Sequence, residues 1–479
     1  MRLADQAFSR AAGAPLVAGN HVRVLCDAAE NYPAWEAAIA GARRSVHIEM
    51  YIIHGDATGR RFRDLLLARA KAGVRVRILY DWLGSLYTRW PFYRPLVQAG
   101  AEVRVMNPPR LLDPLAWVQR DHRKLITVDG EVAYVGGLCI GSEWEGHPER
   151  KIPPWRDTGL EIRGPAVDDA EHAFAASWRT AGGTIDMGAP VAADAAPAAA
   201  GPVSVRLIPT VPETASMLAL DLLAASLARR TLWITDAYFV ATTAYMQALR
   251  RAAADGVDVR LLLPASSDLQ WIAAVSRTQY RPLLEAGVRI FEWNGSMLHA
   301  KTAVADSLWT RIGSTNLNVA SWFGNWEIDV AIEDGGIAAR MEALYEEDLG
   351  NATEVVLGER RRSGAGKPKV GLAHERRRAP GGRLRGTRSA SARRLIGQGS
   401  RLRSGLRAVV TGHRELEDYE RWPVVLLGIL LLAIAAVGFW APRVVAFPLA
   451  AISGLFGAYL SLRTIKRWLR ARARQSTKT

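Results

Sequence analysis

The sequence predicts an α/β protein made of two pseudo-symmetric halves that share one site, followed by a C-terminal apolar helical hairpin. Three observations predict it. The segment YRPLVQAGAEVRVMN at 93–107 returns, little altered, as YRPLLEAGVRIFEWN at 280–294. Around both copies, helix-period runs ending in Gly alternate with Val/Ile-rich strand runs. Near the C-terminus two apolar runs of 19 residues carry no charge.

The elements follow in the same order in each half. In the first, AWEAAIAGARR leads into the strand SVHIEMYII, FRDLLLARAKAG into VRVRILYD, and YRPLVQAG into AEVRVMN. In the second, LALDLLAASLARR leads into TLWITDAYFV, YMQALRRAAADG into VDVRLLLPA, and YRPLLEAG into VRIFEWN. Repeated helix-to-strand units of this kind build layered α/β structures with a mostly parallel or mixed sheet. The first half is placed at 1–190 and the second at 203–357, separated by the Ala/Pro stretch VAADAAPAAAGP at 191–202.

Beyond the second half, 358–421 is rich in Arg, Gly and Ser and offers few apolar groups to bury, so it is expected to be a disordered basic linker. The uncharged runs at 423–441 and 444–462 follow, each about 28 Å long as a helix, which matches the hydrocarbon thickness of a bilayer. Only Pro442 and Arg443 separate them, so 422–462 reads as a transmembrane hairpin, and 463–479 as a basic cytoplasmic tail. A pair of buried soluble helices is the alternative, and the strongly basic outer flanks favour the membrane. With both ends inside, the body faces the cytoplasm, and the Arg-rich linker lies against anionic lipid. The N-terminus has no apolar run of signal-peptide length.

The formal charge of +15 over 479 residues suggests a nucleic-acid binder until it is divided along the chain. Residues 1–357 carry 36 Lys+Arg and 41 Asp+Glu, a net −5; the linker stands at +12 and the last 58 residues at +8. Positive charge belongs to the tail, and the body offers nucleic acid no basic groove. Cys26 and Cys139 are too few for a disulfide framework and lack zinc spacing.

Each half carries a polar cluster soon after its echoed strand: DHRKLITVDGEVAYVGGLCIG at 121–141 and LHAKTAVADSLWTRIGSTNLN at 298–318. Aligned, His122, Lys124, Asp129, Gly136 and Gly137 match His299, Lys301, Asp306, Gly313 and Ser314. Alternation along a strand puts the His and Lys of each pair on one face. Two imidazoles and two ammonium groups brought together by pseudo-two-fold packing form a small cationic pocket suited to a phosphodiester. One neutral His can attack phosphorus, the other can protonate the leaving alkoxide, and the lysines can balance charge on the non-bridging oxygens. The positive charge is then already present, so the reading calls for neither metal nor cofactor.

These paired motifs resemble HxKx4Dx6G[SG]xN, the signature of the phospholipase D superfamily, and the chain looks most like its bacterial cardiolipin synthase branch. The resemblance spans about 18–357 and includes GNHVRVL, WRDTGLEIRGPAV, ITDAYFV and IGSTNLN. It implies two phospholipase D-like halves around one active site and a phosphohistidine intermediate, with His122 as nucleophile and His299 as acid and then base. Lys124, Lys301 and Asn316 would hold phosphoryl oxygens with support from Ser314, while Asp129 and Asp306 would stabilise strand and turn. Asp157 in PWRDT and Glu327 in GNWEID fall where the family carries a carboxylate that orients an imidazole; which histidine each serves is left open. One departure stands out: Cys139 occupies the first motif's Asn position, and a thiol lacks the amide's donor and acceptor. It reads as a small residue packed near the site.

The expected activity is phosphatidyl transfer from one phospholipid to the hydroxyl of phosphatidylglycerol or a similar alcohol at an anionic membrane surface. Hydrolysis to phosphatidic acid uses the same site with water as acceptor. A nuclease and a silent membrane scaffold are further alternatives, opposed by the body's charge and by the intact His/Lys pairs. RLLDPLAWV at 110–118 is expected either to touch acyl chains or to cover a core edge.

Overall fold

The computed structural model describes residues 2–109, 119–185, 198–212 and 214–357. The expected linker, hairpin and tail, the segment 110–118, and 191–197 of the Ala/Pro stretch lie outside the described residues. Among those described, no helix is long and apolar enough to cross a membrane.

The first half contains α1 (Arg2–Ala12), β1 (Val17–Cys26), α2 (Asp27–Gly41), β2 (Ser45–Met50), α3 (Ala57–Lys71), β3 (Arg75–Asp81), α4 (Arg94–Gln98), β4 (Glu102–Met106), β5 (Lys124–Val128), β6 (Val132–Gly136), α5 (Ser142–Glu145), β7 (Thr158–Arg163) and α6 (Ala166–Thr180). The second contains β8 (Val203–Thr210), α7 (Ser216–Leu227), β9 (Thr231–Thr235), α8 (Thr243–Ala254), β10 (Asp258–Pro264), α9 (Gln270–Thr278), α10 (Tyr280–Leu284), β11 (Arg289–Trp293), β12 (Thr302–Ala305), β13 (Trp309–Gly313), α11 (Val319–Phe323), β14 (Glu327–Glu333), α12 (Gly335–Leu349) and β15 (Ala352–Val355).

The strands form one sheet in the order β15-β11-β10-β9-β12-β13-β14-β8-β1-β7-β6-β5-β2-β3-β4. Reading outward from the β8–β1 seam, both halves show the same succession, so the sequence repeat is a structural repeat. The sheet is mixed: β2-β3-β4 and β9-β10-β11 are parallel, whereas the motif strands β5 and β12 run antiparallel to β2 and β9. The echoed strands β4 and β11 precede the motifs in sequence but stand toward the outer edges, with two strands between each of them and its motif strand. They frame the halves and do not touch the motif strands as ladder neighbours.

Helices cover both faces, which is why β2, β5, β6, β12 and β13 are buried along their whole length. On one face a single core includes Phe174 and Trp178 of α6 and Met341, Leu344 and Tyr345 of α12, and it spans both halves. On the other face each half has its own core, Tyr32, Trp35 and Phe62 in the first and Leu220, Tyr245 and Leu249 in the second. Helix starts are fixed by local chemistry: Asp56 caps α3 by accepting from Gly59 N at 2.8 Å, and Asp334 caps α12 by accepting from Ile337 N at 2.9 Å.

Candidate active site

The motif aspartates hold the far ends of the motif strands. Asp129 sits in the left-handed region at φ 56° and accepts backbone N–H bonds from Arg43, Arg44 and Ser45 at 2.7–2.8 Å. Asp306, at φ 53°, does the same for Arg229, Arg230 and Thr231 at 2.7–3.0 Å. Each ties the turn after its motif strand to the start of the neighbouring strand, β2 or β9. Neither lies at the histidine end.

At that end the halves cross. The segment before His122 pairs with the segment before Glu327, through Trp326 N to Arg120 O and His122 N to Trp326 O, both 2.8 Å. The segment before His299 pairs likewise with that before Asp157, through Arg156 N to Met297 O at 2.9 Å and His299 N to Arg156 O at 2.7 Å. The side chains follow: Glu327 Oε2 lies 2.8 Å from His122 Nδ1, and Asp157 Oδ2 lies 2.7 Å from His299 Nδ1. Each carboxylate therefore serves the histidine of the opposite half. With Nδ1 engaged as donor, Nε2 is left as the reactive nitrogen of each ring.

The two carboxylates are supported differently. Glu327 accepts from Ser314 Oγ at 2.6 Å and from Asn325 Nδ2 at 3.1 Å. Ser314 Oγ also accepts from Ile328 N at 2.9 Å, so its hydroxyl orients Glu327. Asp157 accepts from Trp144 Nε1 at 3.0 Å and from Thr158 N at 2.8 Å. At Ser314's counterpart, Gly137, a Cβ would stand 2.1 Å from Asp157 Oδ1. The first motif needs Gly there because Asp157 occupies that space.

Lys124 Nζ donates to His122 O at 2.6 Å, and Lys301 Nζ donates to His299 O. The ammonium groups lie 5.0 Å from the Tyr51 ring and 5.8 Å from the Tyr238 ring. The same rings meet the histidines edge-on, Tyr51 against His122 at 4.8 Å and Tyr238 against His299 at 6.0 Å. Trp144 and Trp155 flank His299 at 5.5 Å each. Asn316 is buried, and its Oδ1 has no hydrogen-bond partner among the described residues.

Burial dominates the electrostatics. It holds both imidazoles down at about 4; Glu327 and Asp157 pull them upward, and the lysines of both halves push them down. That each histidine feels both lysines makes the two half-sites one electrostatic unit. Burial pushes the Glu327 and Asp157 carboxyls up, but their histidines and lysines outweigh it and keep both below the usual carboxylate range. Burial likewise brings Lys301 down to about 8. The imidazoles are thus neutral and hydrogen-bonded to ionised carboxylates.

Tyr51, Tyr238, Trp144 and a buried acid pair, Glu49 and Asp121, were not singled out in the sequence. Burial raises both acids, Asp121 well above its ordinary value, with Glu49 adding to the rise. The only sequence signal for the tyrosines is their shared place at the ends of SVHIEMY and TLWITDAY. Cys139 is fully buried in the first-half core, and burial pushes its thiol up, so it is a neutral packing residue. Outside the site, His54, Asp56 and Glu143 bring ligand-capable atoms within 4.8 Å of one another. His54 already pairs with Glu143, and Asp56 accepts from Ser142 and Gly59, so the cluster closes on itself.

Comparison with known proteins matches both halves of the chain. A family profile described as the cardiolipin synthase, phospholipase D-like domain matches residues 35–142 and 223–349, one stretch per half. The chain is 34% identical over 363 residues to cardiolipin synthase A of Pseudomonas aeruginosa, covering 74% of this chain and 72% of that protein. It is 30% identical over 344 residues to cardiolipin synthase of Alkalihalophilus pseudofirmus, covering 71% and 68%. A crystal structure of phosphatidylserine synthase from Haemophilus influenzae superposes with a TM-score of 0.56 at 13% identity, over 74% of this chain and 92% of that one, a likeness of fold. Two half-sites in register, two profile matches and a relative matched over most of its length lead to one conclusion: the chain belongs to the cardiolipin synthase branch of the phospholipase D superfamily and is an enzyme of that superfamily.

Proposed function

We propose that the protein is a phosphatidyltransferase of the cardiolipin synthase type. The observation that carries this reading is the crossed pair of His–carboxylate contacts, with a lysine beside each histidine. His122 Nε2 attacks phosphorus, the bond to the departing alkoxide breaks, and His299 gives that alkoxide its proton. The resulting phosphohistidine is resolved in the second step. The acceptor hydroxyl loses its proton to His299 and attacks phosphorus, and His122 leaves unchanged. Lys124, Lys301 and the Asn316 amide hold the non-bridging oxygens, while Ser314 acts through Glu327. Asp157 and Glu327 fix the tautomers and stabilise each imidazolium as it forms.

An anionic phosphodiester in the pocket supplies the charge that burial removes, so proton uptake accompanies binding and readies His299 as an acid. The substrates are phospholipids, phosphatidylglycerol or a similar alcohol among them, and no nucleic acid is involved. The body acts at the cytoplasmic face of the membrane, held there by the hairpin at 422–462, with the basic linker and tail against anionic lipid. Lipid extraction from cells making the wild type and His122→Ala tests the proposal. Cardiolipin accumulates only with the wild type, and equal lipid profiles would overturn it.

A further inference from the structure

Two apolar surfaces stand at corresponding places, one after β3 and one after β10. In the first, Leu83, Leu86, Tyr87 and Trp90 are exposed, Tyr87 at 89% and Trp90 at 53%. In the second, Leu269, Trp271 and Val275 are exposed, Trp271 at 67%. Trp271, Ala274, Val275 and Thr278 occupy one stripe of α9, all exposed, and the one buried residue of this helix is Ser276. A helix that turns its apolar stripe outward and a serine inward reverses the pattern of a soluble surface helix. Exposed patches of this kind mark interaction sites.

Both surfaces are built on the tyrosines that touch the histidines. Ser85 Oγ donates to Tyr51 O at 3.3 Å and accepts from Ile53 N at 3.0 Å; a Cβ on Gly84 would lie 2.2 Å from Tyr51 O. In the other half, Tyr238 OH donates to Asp268 Oδ1 at 2.8 Å, directly before Leu269. The apolar surfaces are therefore the two rims of the active site. Their chemistry also selects a partner. Tyr and Trp combine an apolar body with a polar edge and gather at membrane–water interfaces. Residues 82–97 carry Arg89 and Arg94 and no acid, and both arginines are exposed. On the second rim, Arg277 and Arg281 are paired with Glu292 and Glu285.

We propose that the two rims, 83–97 and 269–275, insert together into the headgroup region of an anionic phospholipid bilayer, so that a lipid phosphodiester reaches both histidines without leaving the membrane. This rests on the phosphatidyltransferase reading for the identity of the phosphodiester. Apolar rim groups enter the interface while the Arg89 and Arg94 heads meet anionic phosphate.

The test uses the full chain with Cys26→Ser, reconstituted into vesicles of phosphatidylethanolamine and phosphatidylglycerol, with an environment-sensitive fluorophore on Tyr87→Cys or Trp271→Cys. Leu86→Cys and Val275→Cys serve if either fails to fold. Glu131→Cys, in the turn at the far end of β5, is the aqueous control. Labels on both rims shift to the blue and are quenched by spin-labelled lipid, and iodide quenches them about threefold less than the label at 131, as for groups at headgroup level. The shift at 87 shrinks in phosphatidylcholine vesicles and with Arg89→Glu. Iodide quenching equal to that at 131, or an unchanged shift in phosphatidylcholine, would overturn the proposal. So would protection that persists in detergent, whether accompanied by label-to-label transfer, which indicates a second copy, or without it, which indicates a segment such as 110–118. The readout needs no turnover: insertion without lipid product refutes the transferase reading alone, and product without insertion refutes this surface alone.

Discussion

Glu327 Oε2 lies 2.8 Å from Nδ1 of His122, across 205 residues of sequence, and it is the second half's carboxylate that orients the first half's imidazole. Glu327→Gln leaves the size of the side chain nearly unchanged but removes the charge that stabilises the imidazolium. We expect kcat to fall by about 10²–10⁴-fold, the range for a group acting through general acid–base chemistry. Because His122 is the proposed nucleophile, the loss appears in the formation of phosphoenzyme. Asp157→Asn, which disables the acid and base His299, slows both formation and breakdown. Rapid-quench measurement with phosphorus-labelled lipid separates the two, and identical kinetic defects would refute the assigned roles.

Trp144 Nε1 donates to Asp157 at 3.0 Å and its ring packs on His299. Trp144→Phe keeps an aromatic ring and removes the donor. A hydrogen bond to a charged group is worth about 1.5–3 kcal/mol, so kcat should fall at least about tenfold. KM should change little, because the indole is not among the proposed phosphate-binding groups. Restoring the donor with Trp144→His recovers part of the loss if the bond, and not the ring area, is what matters.

Both active-site histidines stand at about 4, and an anionic phosphodiester beside them is expected to raise them. The complex should then bind more protons than the free enzyme at every pH between the free and the bound pKa values. Affinity for a soluble short-chain phosphodiester therefore increases as pH falls through the bound-state pKa and levels off near 4. Calorimetry in buffers of different ionisation enthalpy should record net proton uptake, and its absence would show that the imidazoles stay neutral in the complex.

Asp236 is buried beside Tyr238, and burial, opposed by Leu317 N–H and by Lys301, pushes it up to about 7. A carboxyl with a folded pKa above its unfolded 3.8 contributes stability that is present at low pH and is lost as pH rises from about 4 to about 7. Asp236→Asn abolishes this dependence. Relative to the wild type, its Tm should improve steadily across that interval, on top of a constant offset from replacing an acceptor of two backbone N–H groups. A Tm difference that does not vary with pH would place the proton elsewhere.

Cys139 has no exposed surface. Cys139→Asn restores the motif's usual residue but forces a larger, polar side chain into the packed core around Tyr32, with an expected cost of about 1–3 kcal/mol. The variant should melt earlier without gaining activity. Cys139→Ser should stay within about twofold of wild-type activity, as expected of a residue that packs near the site without touching substrate.

The alternation of helix and strand was legible because period and turn chemistry are local signals. The histidines and lysines were legible because the same spacing occurs twice. The carboxylates Asp157 and Glu327 could be named from PWRDT and GNWEID, but their crossing could not. It depends on chain pairings between residues 121 and 326 and between 156 and 298, and no local pattern records those. Tyr51 and Tyr238 were hidden for another reason: an aromatic at the end of a buried strand has the composition of core, and only the neighbouring lysine distinguishes it. The YRPL segments adjoin the motifs in sequence, yet their strands β4 and β11 stand apart from the motif strands in the sheet, a separation that sequence order does not record.

Gene duplication usually leaves a spare. Here the carboxylates are exchanged between the halves, since His122 is paired with Glu327 and His299 with Asp157. On the proposed roles, a lesion at either carboxylate weakens the histidine of the other half, and neither repeat holds a complete set of its own. For inheritance as well as for chemistry, two copies behave as a single locus.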